Sequence, residues 1–327
     1  RLDDCLRGRL IPERFFHAKS QEMRQRHNRY EDTPYSLEPN TKESPGGLRD
    51  LQSLAWVAKG AAMGETWQAL QNGGLITEAE TNMITHNERL LRRIRASLHI
   101  VAGRCEDRLV FDLQSSVAAY LGYTDQPHRR ASEQLMQRYY RAAKTITQLT
   151  SIIMQNVDER LSRTELAPSS PLDSEFQSRN RLLEPIDPQL FENEPAAILR
   201  AFLLLQRHPS LRGMSTPALR AMWNARTRID AAFRRKAANR QLFIQIFKEP
   251  RGITQALRWM NRWSILGHYL PVFRRIVGRM QHDLFHVYTV DQHIMTVVRN
   301  LRRFDIVEHA HEYPLCSQLM TTVDEPY

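Results

Sequence analysis

Regular alternation of apolar and polar residues is nearly absent from this chain, and glycine is scarce, at 13 of 327 residues. Both facts argue against a β-rich fold, which needs period-two patterning and frequent turns. No apolar run approaches the ~18–20 residues that span a bilayer, and no signal-peptide pattern is present. The three cysteines, Cys5, Cys105 and Cys316, are scattered and form no C-x-x-C pair. That speaks against a disulfide framework and a structural zinc site, and fits a reducing cytoplasm. Also missing are G-x-S-x-G, H-E-x-x-H, the P-loop and the dinucleotide fingerprint. No Asp-x-Asp pair offers the carboxylates of a two-metal centre.

What is there is helix and positive charge. The length suits two domains, or three, with a sizeable core. The net charge of +10 is carried by arginine far more than by lysine. Such a surplus is either a solvated basic surface or an attraction for nucleotide, nucleic acid or an acidic partner. Apolar periodicity predicts helices over about 13–30, 48–60, 77–103, 112–121 and 129–160. Thr77 with Glu80 forms a capping box, and Gly103 and Gly122 stop their helices. Residues 162–180 are polar and proline-bearing and read as a linker or mobile loop. Helices resume near 195, with Asn193 as the expected cap, again at "STPALRAMW" with Pro217 in the first turn, and in shorter pieces over 228–278. The expected fold is mainly α, a multi-helix array with at most a short β-hairpin near 176–191.

The stretch "NTKESPGGLRD", residues 40–50, combines backbone freedom with charge. Gly46 and Gly47 permit positive φ and close approach of another group. A helix starting at Leu48 would direct free N–H groups outward and favour an anion, with Lys42 and Arg49 adding positive charge beside it. Two readings stand. One is a tight turn with Arg49 paired to Asp50 or Glu43; the other is a place beside a phosphate or carboxylate.

His282, His286 and His293 would line one helical face. However, Thr289 with Gln292 is a second capping box, which starts a new helix near Val290 and separates His293 from the other two. Val290, Ile294, Val297, Val298 and Leu301 then form the expected buried stripe, with His293 beside it. His309 and His311 read as an exposed loop rather than a metal site. "RQRHNRY", residues 24–30, reads as a solvated arginine-rich helix face.

Four stretches carry a resemblance: "EPNTKESPGGLRDLQSLAWVAK", "EDRLVFD", "QLMQRYYRAAK" and "MQHDLFHVYTVDQHIMTVVRNLRRF". They resemble the bacterial bifunctional uridylyltransferase/uridylyl-removing enzymes of the nitrogen-signalling protein PII, across essentially the whole chain. The Gly-Gly-x-Arg-Asp element is also similar to one in the adenylyltransferase that modifies glutamine synthetase. The resemblance implies a Mg²⁺-dependent nucleotidyltransferase domain, a helical region, an HD-type hydrolase domain and C-terminal glutamine-sensing domains. It implies UMP transfer from UTP to a PII tyrosine when glutamine is low, and hydrolytic removal when it is high.

The sequence departs from that pattern. The family's Gly-Ser signature and metal-binding carboxylates are absent. His293 matches the first HD ligand, while the following His-Asp doublet and last aspartate are not found; His282–Asp283 lies upstream and is not that doublet. Arg1 in place of Met, and the loop-like "TTVDEPY", are read as the ends of an internal fragment. The expectation is therefore a helical module with no catalytic residue of its own and no bound Mg²⁺. Residues 1–161 would complete the transferase, 181–285 would form a second helical region, and the last helix, within 286–327, would start the all-α HD domain. Lys42, Gly46, Gly47, Arg49 and Asp50 are the nucleotide-side candidates, and His293 the metal-side one. PII and UTP or UMP are the expected partners, with glutamine acting through absent domains and with neither membrane nor nucleic acid. The rival readings are a non-catalytic scaffold that docks PII and a piece of a tRNA nucleotidyltransferase-like protein.

Overall fold

In the computed structural model, residues 10–30, 33–162, 167–280 and 289–324 are described. Helix α1 (Pro12–Asn28) opens on proline, whose fixed φ and missing N–H suit a first turn. It carries Glu13 at its start and Arg26 and His27 at its end, as the helix dipole favours. Helix α2 (Leu48–Gly60) has the predicted bounds. Helix α3 (Trp67–Asn72) is capped by Thr66. The predicted capping box starts α4 (Glu78–Ala102): Thr77 N donates to Glu80 Oε2 at 2.8 Å and Glu80 N to Thr77 Oγ1 at 3.2 Å. Gly103, at φ +65°, ends it. Helices α5 (Phe111–Tyr120) and α6 (Ala131–Leu161) follow.

These helices form one unit, residues 1–168 together with 277–289. Its centre is α6. Leu135, Tyr139, Ala142, Ile146, Leu149 and Ile153 are buried, as their periodicity implies, and so are Tyr140, Ala143 and Ile152 on the adjoining face. A helix buried on more than one face is a core helix, and α2, α4 and α5 pack around this one.

The second unit comprises residues 169–276 and 290–327. The expected hairpin is present: β2 (Phe176–Arg179) pairs antiparallel with β3 (Leu182–Pro185), Arg179 opposite Leu182. Its two-residue loop, Asn180–Arg181, has both residues at positive φ, the twist that matches the strands. Two short strands widen it: β1 (Ser170–Pro171), antiparallel to β2, and β4 (Gly213–Met214), parallel to β3. Strands β1 and β2 thus both fall inside the segment expected to be a linker. Phe176 is fully buried near Phe191 there, and Arg200 clamps Glu175 with two hydrogen bonds of 2.7 Å.

Asn193 does not cap the next long helix. It closes a short one, α7 (Leu190–Asn193), and Pro195 takes the cap position of α8 (Ala196–Arg207). Helix α8 is buried along most of its length, and further helices follow it. These are α9 (Thr216–Ala225), which runs into a 3₁₀ turn (Arg226–Arg228), then α10 (Ala231–Arg235), α11 (Ala237–Lys248), α12 (Ile253–Arg262), α13 (Ile265–Tyr269) and α14 (Pro271–Ile276). Of these, α11 and α12 pack on α8.

Helix α15 (Val290–Phe304) starts where predicted, but its buried face is not the expected one. Asp291 and Met295 are buried, whereas Ile294, Val297 and Leu301 are 36–47% exposed. Asp291 accepts a hydrogen bond from Asn261 of α12 (3.4 Å), and that polar contact seats the helix in a rotation that turns the Ile294 stripe outward. The last helix is α16 (Pro314–Met320). No helix among the described residues is long and apolar enough to cross a membrane.

Candidate functional site

The turn before α2 is built from its own side chains. Asn40 Oδ1 accepts from the amides of Lys42 (3.0 Å) and Glu43 (2.8 Å), and Ser44 Oγ accepts from Asn40 N (2.9 Å). Asparagine and serine side chains that mimic backbone acceptors fold such loops without a sheet. The turn is stitched to residues 107–109: Thr41 N donates to the Asp107 carbonyl (2.7 Å) and Leu109 N to that of Pro39 (2.9 Å).

The glycine pair answers to packing. Gly46 sits at φ +77°, and a Cβ there would lie 2.1 Å from the carbonyl oxygen of Ala143 on α6. A Cβ on Gly47 would lie 2.6 Å from the Lys42 carbonyl oxygen. The glycines let the turn touch the core helix and itself.

The backbone donors at the start of α2 are taken within the turn. Leu48 N donates to the Thr41 carbonyl (3.1 Å), Arg49 N to that of Lys42 (2.8 Å) and Gly47 N to that of Ser44 (2.8 Å). The tight turn folds its carbonyls over the helix end and consumes these backbone donors, so that only side chains remain to face an external anion. The anion that the turn does hold is internal. Asp50 is fully buried, and its carboxylate accepts from Gly46 N (2.7 Å), Arg26 Nη2 (2.7 Å) and His27 Nε2 (2.8 Å).

Arg26 corrects a further expectation. It lies in "RQRHNRY" but is only 8% exposed, because α1 packs on α2 and the guanidinium must meet Asp50. Tyr139 of α6 lies near the same carboxylate, and burial, then the charge of Asp50, holds its hydroxyl well above the ordinary tyrosine value.

The outer charges form a second ring. Arg49 Nε and Nη2 both bond Glu43 Oε1 (3.3 and 3.2 Å), so Glu43, not Asp50, is its partner. Its guanidinium also lies 5.5 Å from the Trp56 ring centre. Lys42 lies 3.6 Å from Glu43 and 4.0 Å from Asp107. Asp107 in turn accepts from Arg95 Nε (2.6 Å) and His99 Nε2 (3.2 Å). Desolvation opposes the Asp107 charge, but these hydrogen bonds and the charges of Arg95 and Lys42 prevail and hold its carboxyl below the usual aspartate value.

Three of the four resembling stretches thus meet at one place: residues 38–59, 106–112 and 134–144. Arg26, His27, Arg95 and His99 complete it, and spacing alone does not single them out. The signal available was the "EDRLVFD" stretch, whose Asp107 is the hub of the outer ring. His293 is exposed in the first turn of α15, in the second unit. His282, Asp283 and His286 lie outside the described residues.

Among the described residues no three of His, Cys, Asp or Glu gather into a metal-holding group. The Asp50 carboxylate is committed to three donors and has no open face for a cation. These residues do not fit a Mg²⁺ site, nor does His293 by itself make one.

Comparisons with known proteins bear on the whole chain. Residues 14–154 match the family model described as GlnD PII-uridylyltransferase, and residues 176–269 that of the uridylyltransferase GlnD third domain. Proteins named bifunctional uridylyltransferase/uridylyl-removing enzyme are similar throughout. That of Ralstonia nicotianae is 54% identical over 98% of this chain, that of Cupriavidus metallidurans 55% over 96%, and that of Bordetella parapertussis 53% over 99%. The chain spans only 37%, 36% and 38% of those relatives, respectively. No solved structure gives a significant match.

Proposed function

Because the chain belongs to the bifunctional uridylyltransferase/uridylyl-removing enzyme family, we propose that it is the helical part that supports UMP transfer in such an enzyme. The whole protein would move UMP from UTP to PII and remove it by hydrolysis, with glutamine acting through other domains. Residues 1–161 would serve the transferase, 181–285 would link the two activities, and residues 286–327 would begin the hydrolase, with His293 as one ligand of its metal. Mg²⁺, held by residues other than these, would shield the triphosphate charge.

The observation that carries this reading is the locked turn. Gly46 and Asp50 fix its backbone against α6, and Glu43 and Asp107 fix the direction of Lys42 and Arg49, which remain 31% and 25% exposed at their side chains. A guanidinium held by a single carboxylate oxygen can turn its remaining N–H groups to a phosphate. Arg49 and Lys42 would therefore orient the nucleotide, and the chemistry would be done by groups that these residues do not include.

The test is Arg49→Ala in the whole protein. UMP transfer should fall by about tenfold, the loss of one charge-assisted contact, while UMP removal and the melting temperature stay near wild type. Equal loss of both activities together with loss of fold would make the turn a structural element only.

A further inference from the structure

Between Arg226 and Arg275 the sequence holds twelve lysines and arginines and two acids, a surplus equal to the net charge of the whole chain. Both acids are occupied. Glu249 accepts from Arg207 Nε (2.8 Å) and Nη2 (2.7 Å), and Asp230 caps α10 by accepting from Phe233 N (2.8 Å).

Four of the basic groups converge. The 3₁₀ turn that carries Arg226 packs on α13, and α13 packs on α14. Gly267 allows the close approach, since a Cβ there would lie 3.3 Å from Arg274 Cβ. Arg234 Nη1 donates to the carbonyls of His268 (3.0 Å) and Ile229 (3.2 Å). His268 Nδ1 donates to the Ser264 carbonyl (2.8 Å), which leaves Nε2 as its outward atom. Arg226 lies over the Trp223 ring, 5.1 Å from its centre, and bonds the Trp223 carbonyl. Among the described residues, Arg226, Arg234 and Arg274 pair with no carboxylate.

Half-buried cations without counter-charge are costly. Burial, then the charge of Arg274, pushes Arg226 down to about 10. Burial, then Arg226, Arg274 and Arg234, lowers His268 against the pull of the Ser264 carbonyl.

We propose that Arg226, Arg234, His268 and Arg274 form a binding site for a polyphosphate anion, such as the triphosphate of a nucleotide. Planar guanidinium forks from three segments suit several phosphate oxygens at once. The aromatic face under Arg226 holds that fork in place.

The test is a titration of the 327-residue chain with inorganic tripolyphosphate, with UTP and with uridine, following the His268 ring by NMR. The expected result is a saturable, one-to-one rise in the His268 pKa with tripolyphosphate and UTP and none with uridine. Arg274→Gln should weaken binding about tenfold, while Arg228→Gln, whose guanidinium pairs with Glu192 outside the cluster, should leave it unchanged. Because Arg274 is exposed, its variant keeps the test valid if Arg226→Gln fails to fold. An unsaturable response, equal weakening by Arg228→Gln, or binding of polynucleotide alone would overturn the proposal.

Discussion

The turn at residues 40–50 and the basic cluster around His268 are both rich in cations, but only the first supplies its own anions. In the turn, Asp50 takes Arg26 and His27, Glu43 takes Arg49, and Asp107 takes Arg95 and His99. In the cluster, Asp230 of the same stretch is spent on a helix cap and reaches Arg234 only through its charge, without an ion pair. A matched set of charges stiffens the backbone that carries it, whereas an unmatched set stays open to an anion from outside. The same residue type, arginine, thus does two jobs, and the partners decide which.

The contrast can be broken most severely at Gly46. Gly46→Ala would drive a methyl group into the Ala143 carbonyl at positive φ and should cost about 4 kcal/mol or prevent folding, as read by denaturant unfolding. A variant as stable as wild type would mean that α6 and the turn are not in contact. Asp50→Asn comes next. It leaves buried Arg26 without a counter-charge and should cost roughly 3 kcal/mol in the same experiment.

Asp107 gives the pH test. Its folded pKa lies below the unfolded value of 3.8, so its contribution is complete above that pH and is lost as the pH falls through the lower, folded value. Asp107→Asn should therefore be less stable than wild type at neutral pH, by about 1–2 kcal/mol, and the gap should close under acid. A gap that persists below the folded pKa would assign the loss to packing rather than charge.

Much of this was legible in the residues. The Thr77–Glu80 box, the Gly103 stop and the bounds of α2 are local signals, and local signals survive folding. The α15 stripe is turned outward because Asp291 is buried against Asn261, from thirty residues earlier, which periodicity alone does not show. For the same reason Arg26 looked like surface: its partner is 24 residues away. The glycine pair was rightly noticed, but the carbonyl that requires Gly46 belongs to Ala143, and nothing near residue 46 announces it. Three of the resembling stretches each looked like a separate feature, and only the fold made them one place.

The central claim, that one set of cations is matched and the other is not, is tested most directly by two charge removals measured side by side at low ionic strength. Arg95→Gln takes a partner from Asp107 and should lower the unfolding free energy by about 1 kcal/mol. Arg274→Gln relieves a like-charge contact and should leave stability unchanged or raise it by up to ~0.5 kcal/mol. If both variants lose the same stability, the two regions are electrostatically alike and the distinction drawn between them is wrong.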